Sequence, residues 1–149
     1  MSTEPDLYYF CVPRQPLEVS LPVDFLPVSA FVTDEPACKM LWDMISTQFH
    51  TRGKFLAIWP NVRYVALHRD DKGVAGFCFV STPVNWQIDY VVVRPDARGR
   101  HIATALVRTV INQALAQRVP YVMLTSRESL RRLYEGECGF TVVGSSAQQ

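Results

Sequence analysis

The stretch Val91 to Val107, VVVRPDARGRHIATALV, sets an arginine-dense turn between an apolar strand and an amphipathic helix. The first N–H groups of a helix have no intrahelical partner and lie at the positive end of its dipole, so anions bind there readily. Arg98 and Arg100 add guanidinium groups suited to phosphate oxygens, and Gly99 lets backbone approach a ligand closely. The turn points to an anion; the other reading is an exposed turn whose arginines are merely solvated. A second candidate lies just upstream. Asp89 is the only acidic residue in WQIDYVVV, and aspartate is depleted from strands. Buried, it would serve as a general base; an exposed or hydrogen-bonded edge aspartate is the alternative. Alternation places Asp89 on one face with Val91 and Val93, opposite Ile88, Tyr90 and Val92. His50 and His68 are further candidate bases with no motif around them.

Other chemistries are disfavoured. Cys11, Cys38, Cys78 and Cys138 are irregularly spaced with no CxxC pair, so neither a zinc site nor a redox dithiol is expected, and no metal. Free thiols and an acidic start (Met1-Ser2-Thr3-Glu4-Pro5-Asp6) point to a cytoplasmic protein without a targeting segment. No apolar run reaches the ~18–20 residues of a membrane span. Lys+Arg 15 against Asp+Glu 14 leaves no basic field for nucleic acid. A small acidic ligand held by a local patch fits that balance.

The 149 residues are expected to form a single domain, residues 1–149, with 48% hydrophobic content to supply its core. Pro5, Pro13, Pro16, Pro22, Pro27 and Pro36 forbid a helix early in the chain and permit short strands such as LYYFCV and SAFV. DEPACKMLWDMISTQFHTRG then reads as an amphipathic helix from the cap Asp34 to Gly53, with Met40, Leu41, Met44, Ile45 and Phe49 at helical spacing. RYVALHR and VAGFCFVS form a hairpin turning at Gly73, and NWQIDYVVV is a further strand. HIATALVRTVINQALAQR is the clearest helix, and YVMLTS follows as a strand parallel to VVV. RESLRRLYEGE is a short helix with Thr125 and Glu128 at capping-box spacing, and FTVVG a last strand. The order describes a mixed α/β domain with one sheet covered by helices.

V-x-P-x-x-R-G-x-x-I-A-x-x-L, from Val93 to Leu106, resembles the acetyl-CoA motif of the GNAT superfamily of N-acetyltransferases. In the family pattern, Gln/Arg-x-x-Gly-x-Gly/Ala, Arg98 takes the first place and Ala103 the last, while His101 stands where glycine is usual. A second stretch, SLRRLYEGECGF, resembles the family's A-x-x-L-Y-x-x-x-G-F. The likeness runs from about Arg63 to Gly144.

The resemblance implies a GNAT-like mixed sheet of about six strands, covered by helices, whose splayed parallel pair holds acetyl-CoA. The family's strand after Gly144 has no counterpart. Backbone of Val91, Val92 and Val93 would face the acetyl and pantetheine end. N–H groups of Arg98, Gly99, Arg100, His101, Ile102 and Ala103, with Thr104, would cradle the pyrophosphate. Tyr134 matches the tyrosine that protonates the departing thiolate; its other reading is a core aromatic. Setting the register from Gly139 instead would substitute Glu135, since four residues rather than three separate Tyr134 from Gly139. Arg127 replaces an asparagine common seven residues before the tyrosine. At His101, either the backbone has φ < 0 and suits a side chain, with the imidazole adding a donor, or the coenzyme sits less deeply; the first is preferred. Trp42, Phe49, Phe55, Trp59 and Trp86 line an acceptor pocket or fill the core.

The implied function is acetyl transfer from acetyl-CoA to a primary amine, on a small molecule or peptide, directly within a ternary complex and without a metal. The competing readings are a non-catalytic acyl-CoA-binding sensor or partner module and, more remotely, a nucleotide-binding module lacking a Walker-type lysine or GxGxxG. Assembly as a homodimer is left open.

Overall fold

The computed structural model of the chain describes residues 4–48, 52–82 and 85–146. Seven strands make one sheet: β1 (Asp6–Cys11), β2 (Asp24–Pro27), β3 (Val62–Asp70), β4 (Gly73–Ser81), β5 (Trp86–Val93), β6 (Val122–Arg127) and β7 (Thr141–Ser145). Their spatial order is β2-β3-β4-β5-β6-β1-β7. Every neighbouring pair is antiparallel except β5 and β6. The helix α4 (Ile102–Ala116) supplies the crossover that a parallel pair requires.

Helices cover both faces. Leu106, Val107, Val110 and Ile111 of α4 pack on Cys78, Val80, Trp86 and Ile88. The opposite face carries Phe77, Phe79, Val65 and Leu67 under Leu41, Met44 and Ile45 of α2 (Glu35–Gln48) and Phe55 of α3 (Arg52–Ile58). The side chain of Asp34 accepts a 3.0 Å hydrogen bond from the Ala37 N–H, capping α2 as its sequence suggests. That bond is the main reason the Asp34 carboxyl lies below its ordinary pKa. The β3–β4 hairpin turns at Gly73, whose φ of 114° favours glycine.

Several local expectations are corrected. SAFV is not a strand: Val28–Phe31 is a one-turn helix, α1, and the strand precedes it at Asp24–Pro27. Prolines therefore do not exclude helix here, because Pro27 occupies the N-cap with an extended backbone rather than a helix interior. The sheet has seven strands where about six were expected, and β7 is the expected last strand FTVVG, ending at Ser145. Of the helix expected over 34–53, α2 is described to Gln48 and α3 from Arg52; Phe49 and His50 lie outside the described residues. The short helix over RESLRRLYEGE divides into a 3-10 turn (Glu128–Leu130) and a π-helical turn (Arg132–Glu137). No side chain caps either of them; the Ser129 N–H instead donates to the Glu4 carboxylate.

Candidate functional site

β5 and β6 pair only at Trp86 with Val122 and Gln87 with Met123. Beyond that point β5 stays with β4, and β6 continues along β1. The two parallel strands thus diverge towards their C-terminal ends. A bulge accompanies the divergence: Asp89 opposes Phe79 and Val91 opposes Cys78, leaving Tyr90 between them with a φ of 54°.

The divergence opens a groove of about 330 Å³. Val91 and Val93 line it from β5, Ala97 to Gly99 and His101 to Thr104 from the turn and helix, and Leu130, Leu133 and Tyr134 from the far side. Most of the sequence-predicted coenzyme residues therefore converge. Val92 does not present its side chain there, being 1% exposed within the α2–α3 core. Arg100 turns aside to Asp70 at 3.3 Å. Gln48, Ala97, Leu130 and Leu133 join the lining without having been singled out.

At the head of the groove, α4 begins with no side-chain cap. Its first N–H groups are left for a ligand or solvent. His101 is the N-cap residue, with φ 60° and ψ 27°, and Gly99 precedes it at φ 83°. The expected negative φ at His101 is thus overturned. The turn needs a left-handed residue there to aim successive N–H groups outwards, which gives a backbone reason for glycine at this place. Histidine is among the residues enriched in that region, yet its Cβ still brings strain. His101→Gly is expected to stabilise the fold by up to about 1.6 kcal/mol, being ~1–2 kcal/mol of relieved strain less ~0.4–1 kcal/mol of added unfolded-chain entropy. Urea unfolding should show a higher midpoint at unchanged slope. A lower midpoint means that contacts of the imidazole outweigh the strain.

Charge around the turn is unevenly balanced. Arg94 is 14% exposed and bonds the carboxylates of Asp70 and Asp96. Asp70 faces both Arg94 and Arg100, and its carboxyl is held down to about 2, chiefly by the Arg94 hydrogen bond. Arg98 instead donates to the neutral Gln48 Oε1 at 2.9 Å.

Tyr134 is 4% exposed, with its ring 5.2 Å from that of Tyr9 and 6.0 Å from that of Phe140. Its hydroxyl shares a hydrogen bond with the Ser126 side chain, while burial pushes its pKa well above 10.0. The π-helical turn sets which side chain faces the groove. It takes up the additional residue before Gly139 by widening, and the Phe140 N–H reaches back to the Tyr134 carbonyl at 3.0 Å. Tyr134 consequently faces the groove and Glu135 is exposed.

Asp89 lies elsewhere. Because of the bulge it shares a face with its cross-strand partner Phe79, and not with Val91 and Val93 as alternation suggested. Ser81 Oγ donates to its carboxylate at 2.7 Å and Gln87 Nε2 at 3.1 Å, at 8% exposure. His68 Nδ1 is 2.7 Å from the Pro22 carbonyl oxygen, and the residue is outside the groove. Trp42, Phe55 and Trp59 pack with Phe79 and Tyr90 as core aromatics. Trp86 stacks with Phe25 and Tyr64 beside a separate cleft of about 380 Å³. Among the described residues no cluster of His, Cys, Asp or Glu could hold a metal.

A sheet that parts between two parallel strands, with an uncapped helix N-terminus at the mouth of the gap, defines an α/β domain whose groove has the form to take an elongated, anion-bearing ligand. Residues 32–140 match the model of the Acetyltransferase (GNAT) family, and the chain belongs to that family. Comparison with curated proteins gives no match. Among solved structures, a GCN5-related N-acetyltransferase from Sphaerobacter thermophilus is similar at TM-score 0.70 and 22% identity, over 95% of this chain and 50% of that one. The glucosamine-6-phosphate N-acetyltransferase of Arabidopsis thaliana gives 0.61 and 13%, over 83% and 94%. The ribosomal-protein-alanine N-acetyltransferase of Brucella melitensis biovar Abortus 2308 gives 0.53 and 21%, over 78% and 90%. At such identities the likeness is one of fold. The chain spans half the length of the Sphaerobacter protein.

Proposed function

We propose that this chain transfers an acetyl group from acetyl-CoA to a primary amine, directly and without a metal. The observation that carries the reading is the groove itself, which runs from the uncapped start of α4 along Val91 and Val93 to the buried hydroxyl of Tyr134. Acetyl-CoA supplies the thioester and, on its pyrophosphate, the negative charge that the turn suits. N–H groups of Arg98 to Thr104 bind the phosphates, and backbone of Val91 to Val93 holds the pantetheine arm. A backbone N–H of β5 at the bulge polarises the thioester carbonyl. Tyr134 protonates the leaving thiolate, and its raised pKa keeps the proton in place until then. Asp89 receives the amine's proton, and the bulge means that it can meet only an amine approaching from the α2–α3 side of β5.

Both similar structures with named acceptors are N-acetyltransferases by name, which supports an amine on a small molecule or a peptide. A cytoplasmic setting and no nucleic-acid or membrane partner complete the proposal, with assembly as a homodimer left open. No helix among the described residues is long and apolar enough to cross a membrane.

A panel of primary amines incubated with acetyl-CoA tests the reading. Free thiol should accumulate with at least one amine, and acetyl-CoA should raise the melting temperature by mass action. A melting shift without thiol release from any amine class would favour a non-catalytic acyl-CoA-binding module. An unmoved melting curve at millimolar acetyl-CoA would overturn both.

A further inference from the structure

Gln48 is the last described residue of α2, and its carboxamide spans the mouth of the groove. Its Nε2 donates to the Val93 carbonyl at 3.3 Å, and its Oε1 accepts from Arg98 at 2.9 Å. One neutral side chain thus ties the last residue of β5 to the arginine of the anion turn. The partners of the neighbouring cations are carboxylates: Arg94 with Asp70 and Asp96, Arg100 with Asp70, and Lys72 with Asp96 at 3.0 Å. Arg98 is the contrast.

We infer that Gln48 is a positioning residue for the coenzyme, holding Arg98 towards the pyrophosphate while leaving its charge uncompensated. The inference rests on the coenzyme reading of the groove. A carboxamide and a carboxylate of equal length can accept the same guanidinium hydrogen bond, but the carboxylate cancels the charge and has no N–H to give the Val93 carbonyl. Orientation is then supplied by geometry and attraction by the remaining positive charge. An aspartate or glutamate at this place would give the tighter ion pair and the weaker anion site.

The test compares CoA binding by wild type, Gln48→Glu and Gln48→Ala, using isothermal titration at low and at high ionic strength. Gln48→Glu should lower CoA affinity roughly tenfold at low salt, from one added charge within a few ångströms of the anion. The difference should shrink at about 1 M salt, where charges beyond about 3 Å are screened. Gln48→Ala, which frees Arg98 without neutralising it, should weaken binding less. Ligand-free melting temperatures of the variants should match, separating positioning from folding. Equal affinity of wild type and Gln48→Glu, or a loss unaffected by salt, overturns the inference while leaving the coenzyme site intact. Absence of CoA binding by wild type overturns the coenzyme reading itself, and this one with it.

Discussion

Tyr134→Phe is expected to lower turnover by about 10²–10⁴-fold, the usual contribution of a positioned proton donor. The ring contacts with Tyr9 and Phe140 survive the change, so packing is largely kept. What is lost is the hydroxyl and its hydrogen bond to Ser126. Acetyl-CoA affinity should therefore hold while kcat falls, the mark of an interaction made only in the transition state. Burial raises the phenol well above 10.0, which by itself would make donation to a thiolate uphill. The same desolvation disfavours the bare thiolate, so the two basicities rise together in one dry pocket. It follows that wild-type turnover should show no basic limb near the ordinary tyrosine pKa. Turnover surviving in Tyr134→Phe would move the proton donor to solvent. A joint collapse of affinity and melting temperature would make Tyr134 a core residue and nothing more.

The legibility of this site in the sequence follows the range of the interactions. The turn between β5 and α4 is local: strand, arginines, glycine and amphipathic helix follow one another, and each leaves its mark on neighbouring positions. Its left-handed residue was not legible, because nothing in GRH states the sign of φ; the structure gives 60° at His101. Between Tyr134 and Glu135 the sequence offered two conflicting signals: the helical phase of Leu130, Leu133 and Tyr134 favours Tyr134, whereas counting back from Gly139 presumes an α-helical turn and the chain there is π-helical. Gln48 left no trace at all. It meets Val93 and Arg98 across 45 and 50 residues, and one glutamine in a helix is unremarkable in composition.

The same distinction holds for the fold. Helix α4 and the β3–β4 hairpin have strong periodicity and a defined turn, and both were visible. The face of Asp89 was misassigned because a period of two presumes that no residue is inserted, and Tyr90 is an insertion relative to β4. Helix α1 was hidden because SAFV is a short apolar run, which periodicity alone cannot divide between strand and helix.

Gly76→Ala is expected to carry a large cost to stability. Gly76 lies in β4 opposite Val93, under the residue that opens α4. A Cβ there would stand 2.7 Å from Ile102 Cγ2, 3.1 Å from the Val92 carbonyl oxygen and 3.3 Å from Val93 Cγ2. Ile102 is 2% exposed and branched at Cβ, so its methyl has little freedom to withdraw. Overpacking of this kind costs about 1–3 kcal/mol. For a chain of this size each kcal/mol lowers the melting temperature by roughly 2–4 °C. The consequence reaches the groove, because Ile102 and Val93 both line it. Pushing the first residue of α4 away from the sheet carries the anion turn with it, so CoA affinity should fall together with stability. Removing the obstructing methyl provides the control. Ile102→Ala has its own cavity cost, but in combination with Gly76→Ala the total should be smaller than the sum of the two. Strict additivity would show that the clash at Ile102 is relieved elsewhere, and that the position of α4 does not depend on the missing side chain at Gly76.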